Sequence, residues 1–243
     1  MAFLNNQMLF KMPYFLMSFI LSISINLSTQ ELEVTKEILN EINTFKLKKP
    51  IYRTKSESRL FLEQIIDKIK PSAEILCIEL SSKEDNCNWE LEVVSGNQFN
   101  AYASGKNKIS FYTGLVRGIY YEEELAFIVA HEIGHHIANH LNESKRSTTI
   151  GAVLGAAIAL DSDLPPGNAA QLGSYIGRFS FSRRQEIEAD AISKRILINS
   201  GYDINKARIG LIRLTRTGLS KANSQFLDSH PSGPERVLIF DRM

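Results

Sequence analysis

The run His131-Glu132-Ile133-Gly134-His135 constrains this chain more than any other feature. It is an H-E-x-x-H motif, and the surrounding residues predict an amphipathic helix from about 122 to 142. Three glutamates at 122–124 place negative charge in the first turn, and apolar residues recur every three or four positions. On one helical face, His131 and His135 can bind a single zinc ion, and Glu132 can take a proton from a water held there. The motif therefore predicts a zinc-dependent peptidase.

Two further histidines, His136 and His140, are also four residues apart. On a continuous helix both point well away from the His131 face. We therefore expect that neither shares the zinc ion, and we interpret both as solvated or second-layer residues.

A catalytic zinc ion usually has three protein ligands and one open position. The metzincin spacing requires glycine at position 138 and histidine at position 141, but this chain has Ala138 and Leu141, so that class is excluded. The third ligand must then be a downstream acidic residue. The candidates are Glu143, Asp161, Asp163, Glu186, Glu188 and Asp190.

Residues 183–191 predict a helix on which Glu186 and Asp190 share a face, whereas Glu188 points elsewhere. One carboxylate on that face can bind zinc while the other accepts the free ring N–H of a zinc-bound histidine. We assign Glu186 as the third ligand and Asp190 as the residue that orients a histidine. The alternative is a solvated acidic face paired with neighbouring basic residues.

Five blocks in order resemble the HtpX-like and CAAX-prenyl-protease family of zinc metallopeptidases. They are 99–103 (F-N-A-Y-A), 109–115 (I-S-F-Y-T-G-L), 124–136 around the motif, 182–190 (S-R-R-Q-E-I-E-A-D), and 229–232 (S-H-P-S) followed by Arg236. The resemblance implies a gluzincin-type endopeptidase that acts on proteins. It also implies that Glu186 is a ligand with Asp190 behind it, and that this chain is a short, single-domain, periplasmic member.

The block around His230 leaves three roles open for this histidine. It is a candidate catalytic donor to the oxyanion. Alternatively it caps the zinc ion as a fourth ligand in a closed state, or it is a turn residue before Pro231. Arg236 is expected to position His230 or the substrate. The strand at 108–112, with Ile109 and Phe111, is expected to offer an edge to which an extended substrate peptide adds.

The predicted fold class is α+β, mostly helical, with a small sheet beside the H-E-x-x-H helix. Residues 151–160 (G-A-V-L-G-A-A-I-A-L) predict a close-packed helix, with a membrane-touching or substrate-gating flap as the alternative. Helices are expected near 31–47, 57–70, 122–142, 169–199, 203–218 and 233–241, and strands near 74–80, 88–95 and 108–113.

Composition and the N-terminus bound the remaining possibilities. A chain of 243 residues that is 44% hydrophobic can bury one core. Its 28 basic and 27 acidic residues nearly cancel, so the chain lacks the net positive charge that would attract nucleic acid. Residues 1–28 predict a signal peptide or N-terminal anchor, because the apolar stretch at 14–27 is short for a membrane span. Residues 29–243 are then the zinc metallopeptidase domain, exported to the periplasm, with association with a membrane surface left open.

Cys77 and Cys87 are the two cysteines of the chain. In an exported protein we favour a disulfide between them over two free buried thiols.

Together these observations predict one Zn²⁺ per chain and an endopeptidase that acts on envelope proteins, including misfolded ones. Its expected partners are protein or peptide substrates and not nucleic acid. The alternative is a zinc-bound periplasmic chaperone or assembly factor that rarely cleaves. The intact Glu132 argues against that alternative.

Overall fold

Helices and one three-stranded sheet form the part of the chain that the computed structural model describes, which is residues 33, 35–46, 51–80, 87–104, 107–143, 181–219, 230 and 233–243. The helices are α1 (35–44), α2 (Lys55–Leu80), α3 (Thr113–Gly118), α4 (Glu122–Ile137), α5 (Arg183–Asn199), α6 (Ile204–Leu219) and α7 (Pro234–Arg242), with a further helical turn at 140–143. The strands are β1 (Glu90–Val94), β2 (Ala101–Ser104) and β3 (Lys108–Tyr112). The predicted class, α+β and mostly helical with a small sheet, is confirmed.

The motif helix α4 is the central element of the core. It packs against α2, α5 and α6 and lies beside β2. Every side chain from Glu124 to Ile137 is buried, so the helix is enclosed on all sides although it carries three glutamates in its first turn. The functional groups of the motif therefore lie inside the protein.

Helix α5 lies unusually close to α4 because position 134 is glycine. A Cβ atom there would lie 2.9 Å from the carbonyl oxygen of Ala189, a distance that would force the two helices apart. A capping box begins α5: the Ser182 hydroxyl accepts from the backbone N–H of Gln185, and the Gln185 side chain accepts from the backbone N–H of Ser182. The helix predicted at 169–199 thus begins at Arg183, and residues 169–180 lie outside the described part.

The sheet has the order β1-β3-β2, with β1 parallel and β2 antiparallel to β3. The strands predicted at 88–95 and 108–113 are confirmed as β1 and β3, whereas β2 was not predicted. Because β3 is hydrogen-bonded on both sides, it has no open edge. The prediction that a substrate adds to the strand at 108–112 is therefore wrong, and β2 is the edge strand beside α4.

The strand predicted at 74–80 is also wrong, because α2 continues as a helix to Leu80. The run of apolar residues after Pro71 does not distinguish helix from strand by itself. Burial follows the helical period instead, at Leu62, Ile65, Ile69, Ala73 and Leu76. Pro71 is exposed, and so is Asp67, the residue whose backbone carbonyl Pro71 leaves without a donor.

The predicted disulfide between Cys77 and Cys87 is confirmed, with their Cα atoms 5.6 Å apart. It joins the end of α2 to the segment before β1. The pairing was correct although Cys77 lies on a helix.

Helix α4 ends at Ile137, five residues before the predicted end at 142. Asn139 adopts a φ of 60°, in the left-handed region that Asn tolerates better than most residues. The chain therefore turns at 138–139 before the helical turn at 140–143. The helices predicted at 31–47, 203–218 and 233–241 are described at 35–44, Ile204–Leu219 and Pro234–Arg242.

The predictions for residues 1–28 and 151–160 lie outside the described residues. Among the described helices, none combines the length and apolar character that a bilayer crossing requires.

Candidate metal centre

The two motif histidines point at each other across one turn of α4. Their Nε2 atoms are 3.1 Å apart, and both side chains are buried. Glu186, in the first turn of α5, completes a triangle with them. Its Oε2 lies 3.4 Å from His131 Nε2, and its Oε1 lies 3.4 Å from His135 Nε2. The structure thus brings together the three residues that the sequence assigned as ligands.

His230 belongs to the same cluster. Its Nδ1 lies 3.1 Å from Glu186 Oε1 and its Nε2 lies 3.4 Å from Glu132 Oε1. One ligand atom from each of His131, His135, Glu186 and His230 lies within 4.8 Å of the others, and all four residues are buried.

These distances fit a metal ion. Zinc binds nitrogen and oxygen ligands at about 2.0–2.2 Å, so tetrahedral ligand atoms are about 3.3 Å apart. The separations of 3.1 and 3.4 Å among the histidine and glutamate atoms match that spacing. Imidazole and carboxylate donors also suit a divalent transition metal.

Glu132 lies next to the metal cluster and is fully buried. It follows His131 on α4, and one of its oxygens faces His230. A buried carboxylate beside a candidate metal centre has the position that a general base requires.

Arg236 joins α7 to α5 beneath the cluster. Its Nη1 lies 2.5 Å from Glu186 Oε2, while its Nε and Nη2 donate to the two oxygens of Asp190 at 2.8 and 2.7 Å. Asp190 in turn lies 2.9 Å from His131 Nδ1, a position from which a carboxylate can orient this histidine. Arg236 is 1% exposed, so the prediction that it contacts substrate is wrong, because its guanidinium faces two buried carboxylates.

This network shifts the acid–base properties of its members. Burial raises the pKa of Glu186, but the charges of His230 and Arg236 outweigh burial and hold it well below its ordinary value. Burial likewise raises the pKa of Asp190, and Arg236 together with His131 lowers it overall. Burial lowers the pKa of His131, but its contacts with Asp190 and Glu186 raise it to about 9. Both carboxylates are therefore ionised at neutral pH and available to a cation.

Ile109 and Phe111 do not lie on the open edge that was expected for substrate binding. Both side chains of β3 are fully buried in the core, and their backbone groups lie in the central strand of the sheet. Tyr102 on the edge strand β2 is 38% exposed and packs against Tyr112 with ring centroids 6.1 Å apart.

His136 and His140 are both buried, so of the two predicted alternatives the solvated one is wrong, and the second-layer one agrees with the position of His140. Burial lowers the pKa of His136 to about 4, and its Nε2 has no hydrogen-bond partner among the described residues. His140 lies behind His135, with the two Nδ1 atoms 3.0 Å apart. The contact between His135 and His140 was not predicted from the sequence, because one continuous helix was assumed. Asn139 could have indicated the break, since Asn tolerates the left-handed conformation better than most residues.

Phe181 was also missed. Its ring stacks on the ring of His135 with centroids 3.7 Å apart, immediately before the cap of α5. No pattern in the sequence distinguishes this phenylalanine from the other apolar residues.

Comparison with known proteins agrees with this geometry. The chain is 31% identical over 156 residues to the mitochondrial metalloendopeptidase OMA1 of Arabidopsis thaliana, which covers 64% of this chain and 32% of that protein. It is 31% identical over 157 residues to the beta-barrel assembly-enhancing protease of Escherichia coli (strain K12), covering 60% of this chain and 32% of that protein. It is 26% identical over 157 residues to the metalloprotease LoiP of the same strain, covering 63% of this chain and 62% of that protein.

The chain thus spans about a third of the length of the first two relatives. The sequence model of peptidase family M48 matches residues 64–241, which include every residue of the candidate centre. The family resemblance inferred from the sequence is confirmed, and this chain belongs to peptidase family M48.

Proposed function

We propose that this chain is a zinc-dependent endopeptidase in which His131, His135 and Glu186 hold the metal ion. The observation that carries the proposal is the buried cluster of ligand atoms within 4.8 Å of one another, with Glu132 beside it. A bound zinc ion would lower the pKa of a water molecule and polarise the carbonyl of the scissile bond.

Glu132 accepts the proton of the attacking water and later delivers it to the leaving amine. Asp190 accepts the Nδ1–H of His131 and so leaves Nε2 of that ring available as a ligand. Arg236 keeps Glu186 and Asp190 ionised and fixes their orientation.

His230 caps the metal centre in a closed state. Its distance of 3.1 Å from Glu186 resembles the spacing among the other ligand atoms, which supports the capping role over the role of oxyanion donor. A site with four protein ligands has no open position for substrate, so His230 must move away before cleavage.

An extended substrate adds to the free edge of β2. Within the described part of the chain, this strand pairs with β3 on one side only, and it lies beside α4. Backbone hydrogen bonds to an edge strand bind a peptide with little dependence on its sequence.

The proposed substrates are envelope proteins, including misfolded ones, and the proposed location is the periplasm. The apolar stretch at 14–27 supports export. The disulfide between Cys77 and Cys87 supports an oxidising compartment.

Cleavage of casein by the purified protein, with and without a chelator, tests the proposal. We expect the chelator to abolish cleavage and added zinc to restore it. Glu132→Gln should retain zinc and the fold but lose hydrolysis, because an amide cannot accept the proton. Glu123→Gln, in the first turn of the same helix and distant from the cluster, should cleave normally. A zinc-loaded wild type that cleaves nothing but suppresses aggregation would favour the chaperone alternative.

A further inference from the structure

We infer that His140, held by Glu188, is a positioning residue that sets the tautomer and ring orientation of His135. The inference rests on the proposed function, since it concerns how one proposed metal ligand is prepared for the ion. It assigns a role to two residues that the H-E-x-x-H motif does not include.

The turn after α4 makes this contact possible. Asn139 in the left-handed region reverses the chain, and the Asn139 N–H donates to the carbonyl of His136. His140 therefore folds back onto the motif helix and is 2% exposed. Its Nδ1 lies 3.0 Å from His135 Nδ1, and its Nε2 lies 3.4 Å from Glu188 Oε2 on α5.

The order of donors and acceptors follows from this chain of contacts. The Glu188 carboxylate can only accept, so the nitrogen of His140 that faces it, Nε2, carries a proton. In neutral His140, Nδ1 is then an acceptor, and His135 must donate its Nδ1–H. The lone pair of His135 is consequently on Nε2, the atom that faces His131 and Glu186.

The two proposed histidine ligands are thus prepared in different ways. The Nδ1 of His131 lies directly beside the buried carboxylate of Asp190, at 2.9 Å. The Nδ1 of His135 is instead linked to a carboxylate through His140, and that carboxylate belongs to Glu188, whose side chain is 52% exposed. Phe181 stacks against His135 and restricts the same ring from its face. Because water can replace Glu188 at the exposed end, His140 carries most of the effect.

Zinc affinity, measured by competition with a chelating dye, tests the inference independently of catalysis. His140→Phe keeps the ring volume but removes the acceptor, and should weaken zinc binding by about 10–100-fold. His140→Asn loses volume but places its amide oxygen near the former Nδ1, and should remain within about threefold of wild type. A residue that only fills space predicts the reverse order. Glu188→Gln, which retains an acceptor, should also bind zinc within about threefold of wild type.

A measurement on the wild type alone covers the case in which a variant does not fold. Nitrogen-15 spectra of the zinc-loaded protein should show His135 bound to metal through Nε2, with a protonated, slowly exchanging Nδ1. Binding through Nδ1, or His140→Phe with wild-type affinity, would overturn the inference while the proposed peptidase stands. A wild type that binds no zinc would overturn both.

Discussion

Replacing Arg236 by methionine should strongly destabilise the metal-free protein. Arg236 is 1% exposed and contacts two carboxylates, those of Glu186 and Asp190, which are themselves buried. Methionine keeps the apolar stem but removes the guanidinium. Both carboxylates are then left in the core without the cation that keeps them ionised.

The structure sets the expected magnitude. Breaking a buried ion pair by removing one partner costs about 3–5 kcal/mol, because an uncompensated charge stays buried. For a domain of this size each kcal/mol lowers Tm by about 2–4 °C, so we expect a fall of about 6–20 °C. Arg236→Lys should recover only part of the loss, since a lysine cannot pair with a carboxylate through two parallel hydrogen bonds.

Urea unfolding of the chelator-treated protein measures this loss, and Arg195→Met is the matched control. Arg195 lies on α5 and donates through Nη2 to both oxygens of Glu79 at 3.0 and 3.1 Å, but both side chains are about half exposed. That pair should contribute about 0–1 kcal/mol. If Arg236→Met costs no more than Arg195→Met, the buried network does not stabilise the fold and our account of Arg236 is refuted.

The effect of Arg236 should also depend on pH. The folded protein holds the pKa values of Glu186 and Asp190 below their ordinary values. A depressed carboxyl pKa stabilises the fold at any pH above the unfolded value of about 4, and this contribution is lost as pH falls through the folded pKa. The stability difference between wild type and Arg236→Met should therefore be full at neutral pH and should narrow in acid.

Three further outcomes are expected. Glu186→Ala should lose most of the bound zinc while Glu188→Ala keeps most of it, and metal analysis showing the opposite would overturn the ligand assignment. His230→Ala should raise the kcat for peptide cleavage if the residue caps the metal centre, whereas a fall of about 100-fold would make it an oxyanion donor after all. Cys77→Ser should lower the free energy of unfolding by about 2–3 kcal/mol, because the variant loses a bridge that closes a loop between residues ten apart. Wild type with the disulfide reduced is the matching control and should lose the same amount.

The residues that local periodicity could assign are those whose environment is set within one helix. His131 and His135 share a face because they are one turn apart on α4, and the same argument correctly paired Glu186 with Asp190 on α5. The pairing of Cys77 with Cys87 also required only a plausible compartment and a short separation.

Periodicity failed where the chain changes direction or where distant segments decide. The end of α4 depends on the backbone of Asn139, so a helical phase carried past that residue placed His140 on the wrong side. The segment at 74–80 continues α2, whose buried residues recur at helical spacing from Leu62 to Leu76, although the composition of the segment suits a strand. The position of β3 in the middle of the sheet depends on a strand, β2, that is only four residues long.

The sequence by itself therefore determined the chemistry of the centre: two histidines and a glutamate on one helix, with an acidic helix downstream. The relative positions of these side chains follow from helical geometry between residues three or four apart. Any helix with the same spacing places them in the same way. Tertiary structure alone decided the surroundings of that chemistry. The contact of α4 with α5 at Gly134, the burial of Arg236 beneath Glu186, and the approach of His230 and His140 join residues 40 or more positions apart or cross a turn. Such contacts depend on how the whole core packs, and no local pattern encodes them.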